Sequence, residues 1–171
     1  MAAARSRAHL LLVGLVLLLV LLLGCGEGSG TVAEGDGEEP AVEQQVGVRP
    51  PTDDLVPSDM APPQELVIDE LLEGQGPGAS QGDVLVVHYV GLRWSDGGQF
   101  DASWDRGQPL EFELGAGRMI EGWEQGLVGL QPGGRRVLTI PPALAYGDRG
   151  APPAIGPGET LVFVVDLVEL N

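Results

Sequence analysis

Lysine is absent from this chain, cysteine occurs once and histidine twice. Without lysine there is no P-loop amine to hold a phosphate and no Schiff base. A single cysteine leaves nothing to pair within the chain, so stability has to come from a core and not from disulfide staples. Residues 64–171 carry 16 acidic residues against six arginines, net −10, which argues against nucleic acid as a partner because phosphate binding needs a basic face. Aromatic residues are scarce as well: there are eight, and none precedes Tyr89. Large rigid rings carry much of the burial energy of a core or an apolar pocket, so their confinement between Tyr89 and Phe163 marks the working region.

The N-terminal part does a different job. Arg5 and Arg7 precede an apolar run from Leu10 to Leu23, 14 residues long, which ends in Leu22-Leu23-Gly24-Cys25. A bilayer span needs about 20 apolar residues, whereas a shorter run with a positive start and a small-residue end fits a secretory signal. The position of Cys25 directly after Gly24 resembles the bacterial lipobox, in which the cysteine is acylated before cleavage. That resemblance implies a signal peptide over 1–24, lipidation at Cys25 and a membrane contact through a lipid anchor. An ordinary cleaved signal, or an uncleaved anchor that happens to contain a cysteine, is the plainer alternative. Gly26 in place of aspartate after the cysteine implies, in an organism with two membranes, the outer membrane with the protein facing the periplasm; in general terms, the cell envelope. From Gly26 to Pro63 there are six glycines, six prolines, nine acidic residues and one arginine. Such a composition predicts a disordered tether over 25–63, with a reach on the order of 35 Å.

Residues 64–171 predict one domain, built mostly of strands. Glu65 to Leu72 is an apolar-acidic stretch, and Asp83 to Val90 alternates with Leu85, Val87 and Tyr89 on one face. Ser95-Asp96-Gly97-Gly98 is a hairpin turn leading to Phe100. Leu110, Phe112 and Leu114 alternate with acids; Arg136, Leu138 and Ile140 share a face; Leu161 to Leu170 is apolar on both sides, as in a central strand. Helical spacing occurs once, at Ile120, Trp123 and Leu127, with Glu121, Glu124 and Gln125 predicted to face away. Gly122 and Gly126 weaken that helix but let its backbone approach a sheet closely. The predicted fold class is α+β: a curled antiparallel β-sheet wrapped around one short α-helix. The stretch Pro141 to Glu159 around Tyr146 is a loop of a length that is usually functional.

Several chemistries drop out. His88 is the one histidine beyond the signal, and no serine lies in G-x-S-x-G, so a hydrolase triad has little support. The same scarcity of His and Cys predicts no transition-metal site, and nothing in the sequence indicates a cofactor. Gly115-Ala116-Gly117 is followed next by Gly122, which breaks a dinucleotide fingerprint.

Four motifs stand in order: Val86-Val87-His88-Tyr89-Val90-Gly91, Phe100-Asp101-Ala102-Ser103, Ile120-Glu121-Gly122-Trp123-Glu124 and Ala145-Tyr146-Gly147. Together with Thr160-Leu161-Val162-Phe163 they resemble the FKBP-type peptidyl-prolyl cis-trans isomerases over essentially all of 64–171. The resemblance implies an enzyme that rotates X-Pro bonds during folding of exported proteins, without covalent catalysis. Its partners are then proline-containing polypeptides, and macrolides as ligands. It also implies the site: Trp123 as the pocket floor; Tyr89, Phe100, Phe112, Ile120 and Phe163 as its walls; Met119 at the mouth. Asp101 and Tyr146 match the polar groups that meet the ligand, the Ile120 N–H matches a backbone donor, and Arg106 matches a basic neighbour of the aspartate. In this assignment Tyr89, Phe100, Asp101 and Tyr146 are catalytic, while Phe112, Met119, Ile120, Trp123, Phe163 and Arg106 bind substrate. A non-catalytic chaperone or partner-binding module of the envelope, using the pocket or an exposed Trp94 and Trp104 region, is the alternative. The sequence departs from the family pattern in a longer hairpin carrying Trp94, in Ala151, and in Ala154-Ile155-Gly156-Pro157, all expected at the rim.

Overall fold

The computed structural model describes residues 47–56 and 59–171. The apolar run at 10–23, Cys25 and most of the expected tether lie outside the described residues. Within them the chain forms strands β1 (Val67–Leu72), β2 (Val84–Arg93) and β3 (Gln99–Ala102), helix α1 (Ser103–Arg106), strand β4 (Leu110–Glu113) and helix α2 (Glu121–Gly126). Strands β5 (Arg135–Ile140) and β6 (Leu161–Leu170) complete it, and two single turns of 3-10 helix occupy Pro142–Leu144 and Gly147–Arg149.

All pairings are antiparallel and run β1-β5-β6-β2-β3, with β4 on β2 as well. β2 organises the sheet. It pairs along its length with β6 on one side, and on the other side with β4 through Val84–Val87 and with β3 through Val90–Leu92. Register shifts at Val86/Val87 against β6 and at Gly91/Leu92 against β3 mark bulges, which increase local twist and curl the sheet. β6 is buried from Leu161 to Leu167, as its two-sided apolar sequence predicts for a central strand.

Alternation along the strands makes two apolar layers. On one face Leu85, Val87, Tyr89, Leu138, Ile140 and Phe163 pack with Trp123 and Leu127 of the α2 region. On the other, Val90, Leu92, Ala102, Val137, Val162 and Val164 form a second layer. Helix α2 lies close to the sheet because its two glycines permit it. A Cβ at Gly122 would stand 2.4 Å from Ile140 Cγ2, and one at Gly126 2.8 Å from Leu138. Arg136 bonds the Gly126 and Val128 carbonyls at the C-terminal end of α2, where unpaired carbonyls need donors.

Three expectations are corrected. Glu124 does not face away: it is buried, and its carboxylate accepts the N–H groups of Gly115 (2.5 Å) and Met119 (3.4 Å), which replaces the lost water. A second helix, α1, follows β3 directly. It is a single turn closed by Gly107 at φ 65°, too short to show a helical period. Composition also assigns residues 47–63 to a disordered tether, whereas 47–56 lie against the second apolar layer. Leu55 and Val56 pack there, and Arg135 donates to the Val48 carbonyl at 3.0 Å.

Candidate functional site

A cavity of about 440 Å³ opens between α2, the sheet and the loop after β5, lined by Tyr89, Phe100, Asp101, Arg118, Met119, Ile120, Glu121, Trp123, Ala145, Tyr146 and Phe163. Eight of the ten residues that the sequence assigns to the site are therefore brought to one place. Phe112 stands behind them, buried against Trp123 with ring centroids 5.7 Å apart, and Arg106 stands beside them, bonded to Asp101.

The apolar part is a set of rings meeting edge to face. Trp123 contacts Tyr89 at 5.3 Å and 84°, and Phe163 at 5.2 Å and 85°; Phe163 contacts Phe100 at 5.5 Å and 89°. Such pairs add about 0.5–1.5 kcal/mol each beyond the area they bury, so the cage is stiff as well as apolar. Its wall requires Gly91. A Cβ there would lie 2.6 Å from Phe100 Cζ and 2.9 Å from Phe163 Cε1, so a side chain on β2 at that point would push both rings towards the cavity. Trp123 is fully buried, and its indole N–H has no acceptor among the described residues.

The polar part is a closed triangle. The Tyr89 hydroxyl donates to Asp101 at 2.5 Å, and the Arg106 guanidinium donates both to Asp101 (2.5 Å) and to the Tyr89 oxygen (2.8 Å). Burial opposes ionisation of the Asp101 carboxyl, but hydrogen bonds from Tyr89 and Arg106 hold it below the ordinary carboxylate value. Burial, together with its bond to Asp101, pushes the Tyr89 phenol up. Asp101 is therefore an anion and Tyr89 a neutral donor near neutral pH. A phenol held neutral in this way is no nucleophile.

Local structure places each group. β2 carries Tyr89, and β3 carries Phe100 and Asp101 across from it, with Asp101 paired to Gly91. Ser103 locks α1 onto β2, its hydroxyl accepting the Tyr89 N–H at 2.8 Å and meeting His88 Nδ1 at 2.9 Å. Buried Glu124 ties down the Gly115–Met119 turn and so fixes Met119 and Ile120 at the mouth. Ile120 is the extended residue that precedes α2, and its N–H has no acceptor among the described residues. Tyr146, 42% exposed, enters the rim from the loop, which is braced by the Ala151–Ile155 bridge and by the Gly158 N–H on the Gly147 carbonyl.

Arg118, Glu121 and Ala145 also line the cavity, and the sequence assignment omitted them. Their signal was adjacency alone: each is next to an assigned residue. Trp94 and Trp104 are placed differently from expectation. Both pack on the opposite face of the sheet, and neither is an exposed ring. Trp104 stacks on His88 at 4.0 Å and 16°, and the Trp94 indole donates to the Met60 carbonyl at 3.3 Å. Among the described residues no group of His, Cys, Asp and Glu could hold a metal ion.

With this geometry in hand, the comparisons with known proteins are specific. The model of the family described as FKBP-type peptidyl-prolyl cis-trans isomerase matches residues 76–168. The FK506-binding protein of Streptomyces anulatus is 58% identical over 108 residues, which span 63% of this chain and 87% of that protein. A probable FK506-binding protein of Corynebacterium glutamicum is 46% identical over 106 residues, 62% of this chain and 87% of its own length. Among solved structures, the crystal structure of AtFKBP13 superposes with a TM-score of 0.59 at 38% identity, over 64% of this chain and 96% of that one. FkpA from Escherichia coli superposes with a TM-score of 0.57 at 42% identity, over 62% of this chain and 48% of its own.

Proposed function

The chain belongs to the FKBP-type peptidyl-prolyl cis-trans isomerase family, and from that premise we propose that the cavity at Trp123 takes the proline ring of an X-Pro segment and lowers the barrier to its rotation. The observation that carries this is the stiff edge-to-face cage of Tyr89, Trp123 and Phe163, beside the Ile120 N–H, which has no acceptor among the described residues. Rotation of a peptide bond faces a barrier of roughly 18–20 kcal/mol, because the planar form is stabilised by resonance. Planar amide is also the more polar form, so a dry apolar slot disfavours it relative to the twisted one. Each 1.4 kcal/mol or so of such differential stabilisation is worth about tenfold in rate. No bond to substrate is made or broken.

In this mechanism Phe112 supports Trp123 from behind, and Phe100, Met119 and Ile120 enclose the proline ring. The Ile120 N–H and the Tyr146 hydroxyl donate to substrate carbonyls. Asp101, fixed by Tyr89 and Arg106, sets the negative field on one side of the rotating imide. A macrolide that mimics a prolyl segment occupies the same slot. Accelerated relaxation of X-Pro peptides from cis to trans by the full chain is the expected result, with Asp101→Val and Tyr146→Phe each slowing it by tenfold or more on the order of one lost donor or ion in a dry site. A rate equal to buffer alone overturns the assignment.

The working place of the enzyme is the second part of the proposal: a lipid-anchored isomerase of the cell envelope acting on exported proteins. Leu10–Leu23 and the solitary Cys25 support it. Labelling with radioactive palmitate should mark the wild type and spare Cys25→Ser, with membrane retention lost in that variant. Equal labelling of both proteins ends this part while leaving the isomerase untouched.

A further inference from the structure

On the face of the sheet away from the cavity, residues 47–56 make a set of contacts that the isomerase mechanism does not use. Arg49 Nη1 donates to Asp105 Oδ1 at 2.6 Å, and Arg49 Nη2 donates to Gln99 Oε1. Gln99 Nε2 in turn donates to the second Asp105 oxygen at 2.7 Å, so both oxygens of that carboxylate are occupied. Asp105 lies in α1 immediately before Arg106, whose fork is divided between Asp101 and the Tyr89 hydroxyl. The bonds from Arg49 and Gln99 hold the Asp105 carboxyl below the ordinary carboxylate value, with the Arg106 charge a smaller contributor.

Asp101 thus holds the Arg106 guanidinium, while Asp105, the neighbour of Arg106 in the chain, is held by a second guanidinium supplied from 56 residues upstream. We propose that Arg49 is a positioning residue for the isomerase: by holding Asp105 it keeps that carboxylate from competing with Asp101 for Arg106, and so preserves the Tyr89–Asp101–Arg106 triangle. The inference rests on the assignment of Asp101 and Tyr89 to the isomerase site. Without Arg49, Asp105 keeps only the neutral Gln99 amide and is an anion without a cationic partner one residue from Arg106, and the fork turns part of the time towards it. Arg49 and Asp105 are 44% and 52% exposed, which limits the effect. A pair so hydrated is worth roughly a two- to fivefold change in rate.

A double-mutant cycle on kcat/KM of the full chain in detergent separates this role from a merely structural one. Arg49→Ala should be roughly two- to fivefold slower than wild type, on the scale of an exposed ion pair. Asp105→Asn should match wild type, and Arg49→Ala/Asp105→Asn should return to it, since the competing charge is gone even though the strap contact is still broken. Arg49→Lys should retain most of the activity. Thermal midpoints measured beside the rates show whether each variant is folded. A double variant as slow as Arg49→Ala, or an Arg49→Ala variant as fast as wild type, overturns the proposal. Inactive wild type sinks the isomerase assignment itself, an outcome distinct from either.

Discussion

The two faces of the sheet are built from alternate residues of the same strands, and they solve opposite problems. On the cavity face, Tyr89 and Phe163 meet Trp123 and leave a space that rings cannot fill among themselves. On the other face, Val90, Val137, Val162 and Val164 make a β-branched layer covered by Leu55, Val56, Trp94 and Trp104. Polar groups follow the same division. Those on the cavity side, Asp101 and Tyr146, remain open to a ligand. On the far side the Arg135–Asp166 pair is sealed, its side chains 9% and 1% exposed and bonded at 2.5 Å and 2.7 Å. The cavity and the sealed ion pair therefore lie on opposite faces of one sheet, and substitutions at the two should divide differently between activity and stability.

The largest separation is expected at Asp166. Asp166→Ala leaves the Arg135 guanidinium buried without its carboxylate and should cost about 3–5 kcal/mol in a urea titration. kcat/KM per folded molecule should stay near wild type; if it falls in step with stability, the two faces are not independent. Gly91→Ala tests the reverse. Its Cβ meets Phe100 and Phe163, so overpacking should cost about 1–3 kcal/mol while kcat/KM drops out of proportion to the small unfolded fraction. Unchanged kinetics in that variant would show that the cage is softer than its geometry implies.

Acidification should give the smallest and most diagnostic split. Burial lowers the pKa of His88 on the far face, against a weaker opposing pull from Asp166. A base with a depressed folded value binds its proton more readily when unfolded, so its contribution to stability is full above about pH 6.5 and is lost as the pH falls through the folded value. In the triangle, Asp101 is depressed and Tyr89 raised. Its contribution is therefore present above about pH 4 and below about pH 10, failing only as pH drops through the lower folded value of the acid or rises through the higher one of the phenol. Between pH 7.5 and 5 the denaturation midpoint should decline modestly while kcat/KM of folded protein stays level. His88→Gln should flatten the decline.

These two faces were not equally legible in the sequence. Period-two alternation around Tyr89 and the i, i+3, i+7 spacing of Ile120, Trp123 and Leu127 are short-range signals, and both were realised. On their own they mark Tyr89 and Trp123 as core; the cage was implied by the resemblance that the four motifs carry. The far face depends on contacts that no local window contains. Arg49 meets Asp105 and Trp94 meets Met60 across 56 and 34 residues, and a Pro-rich acidic stretch reads as tether in composition whether or not it docks. Glu124 escaped for a different reason: helical periodicity assigns a glutamate to solvent by polarity, and only the orphaned N–H groups of the preceding turn make its burial favourable. One-turn α1 has no period to detect, so no local signal shows which way Trp104 faces, and the expectation that it is exposed had no direction behind it.

The strap at 47–56 has a mechanical consequence. Tension arriving along the chain from upstream of Gly47 meets the Arg49–Asp105 and Val48–Arg135 contacts before it reaches β1 or any strand that carries a cavity residue. The exposed Arg49–Asp105 pair and the half-buried Val48–Arg135 bond sit on the reverse of the sheet and can open one after another, like stitches, while the ladder between β2 and β6 keeps its register. Drag on the upstream chain is thus spent in peeling a seam, and the rings around Trp123 are relieved of load.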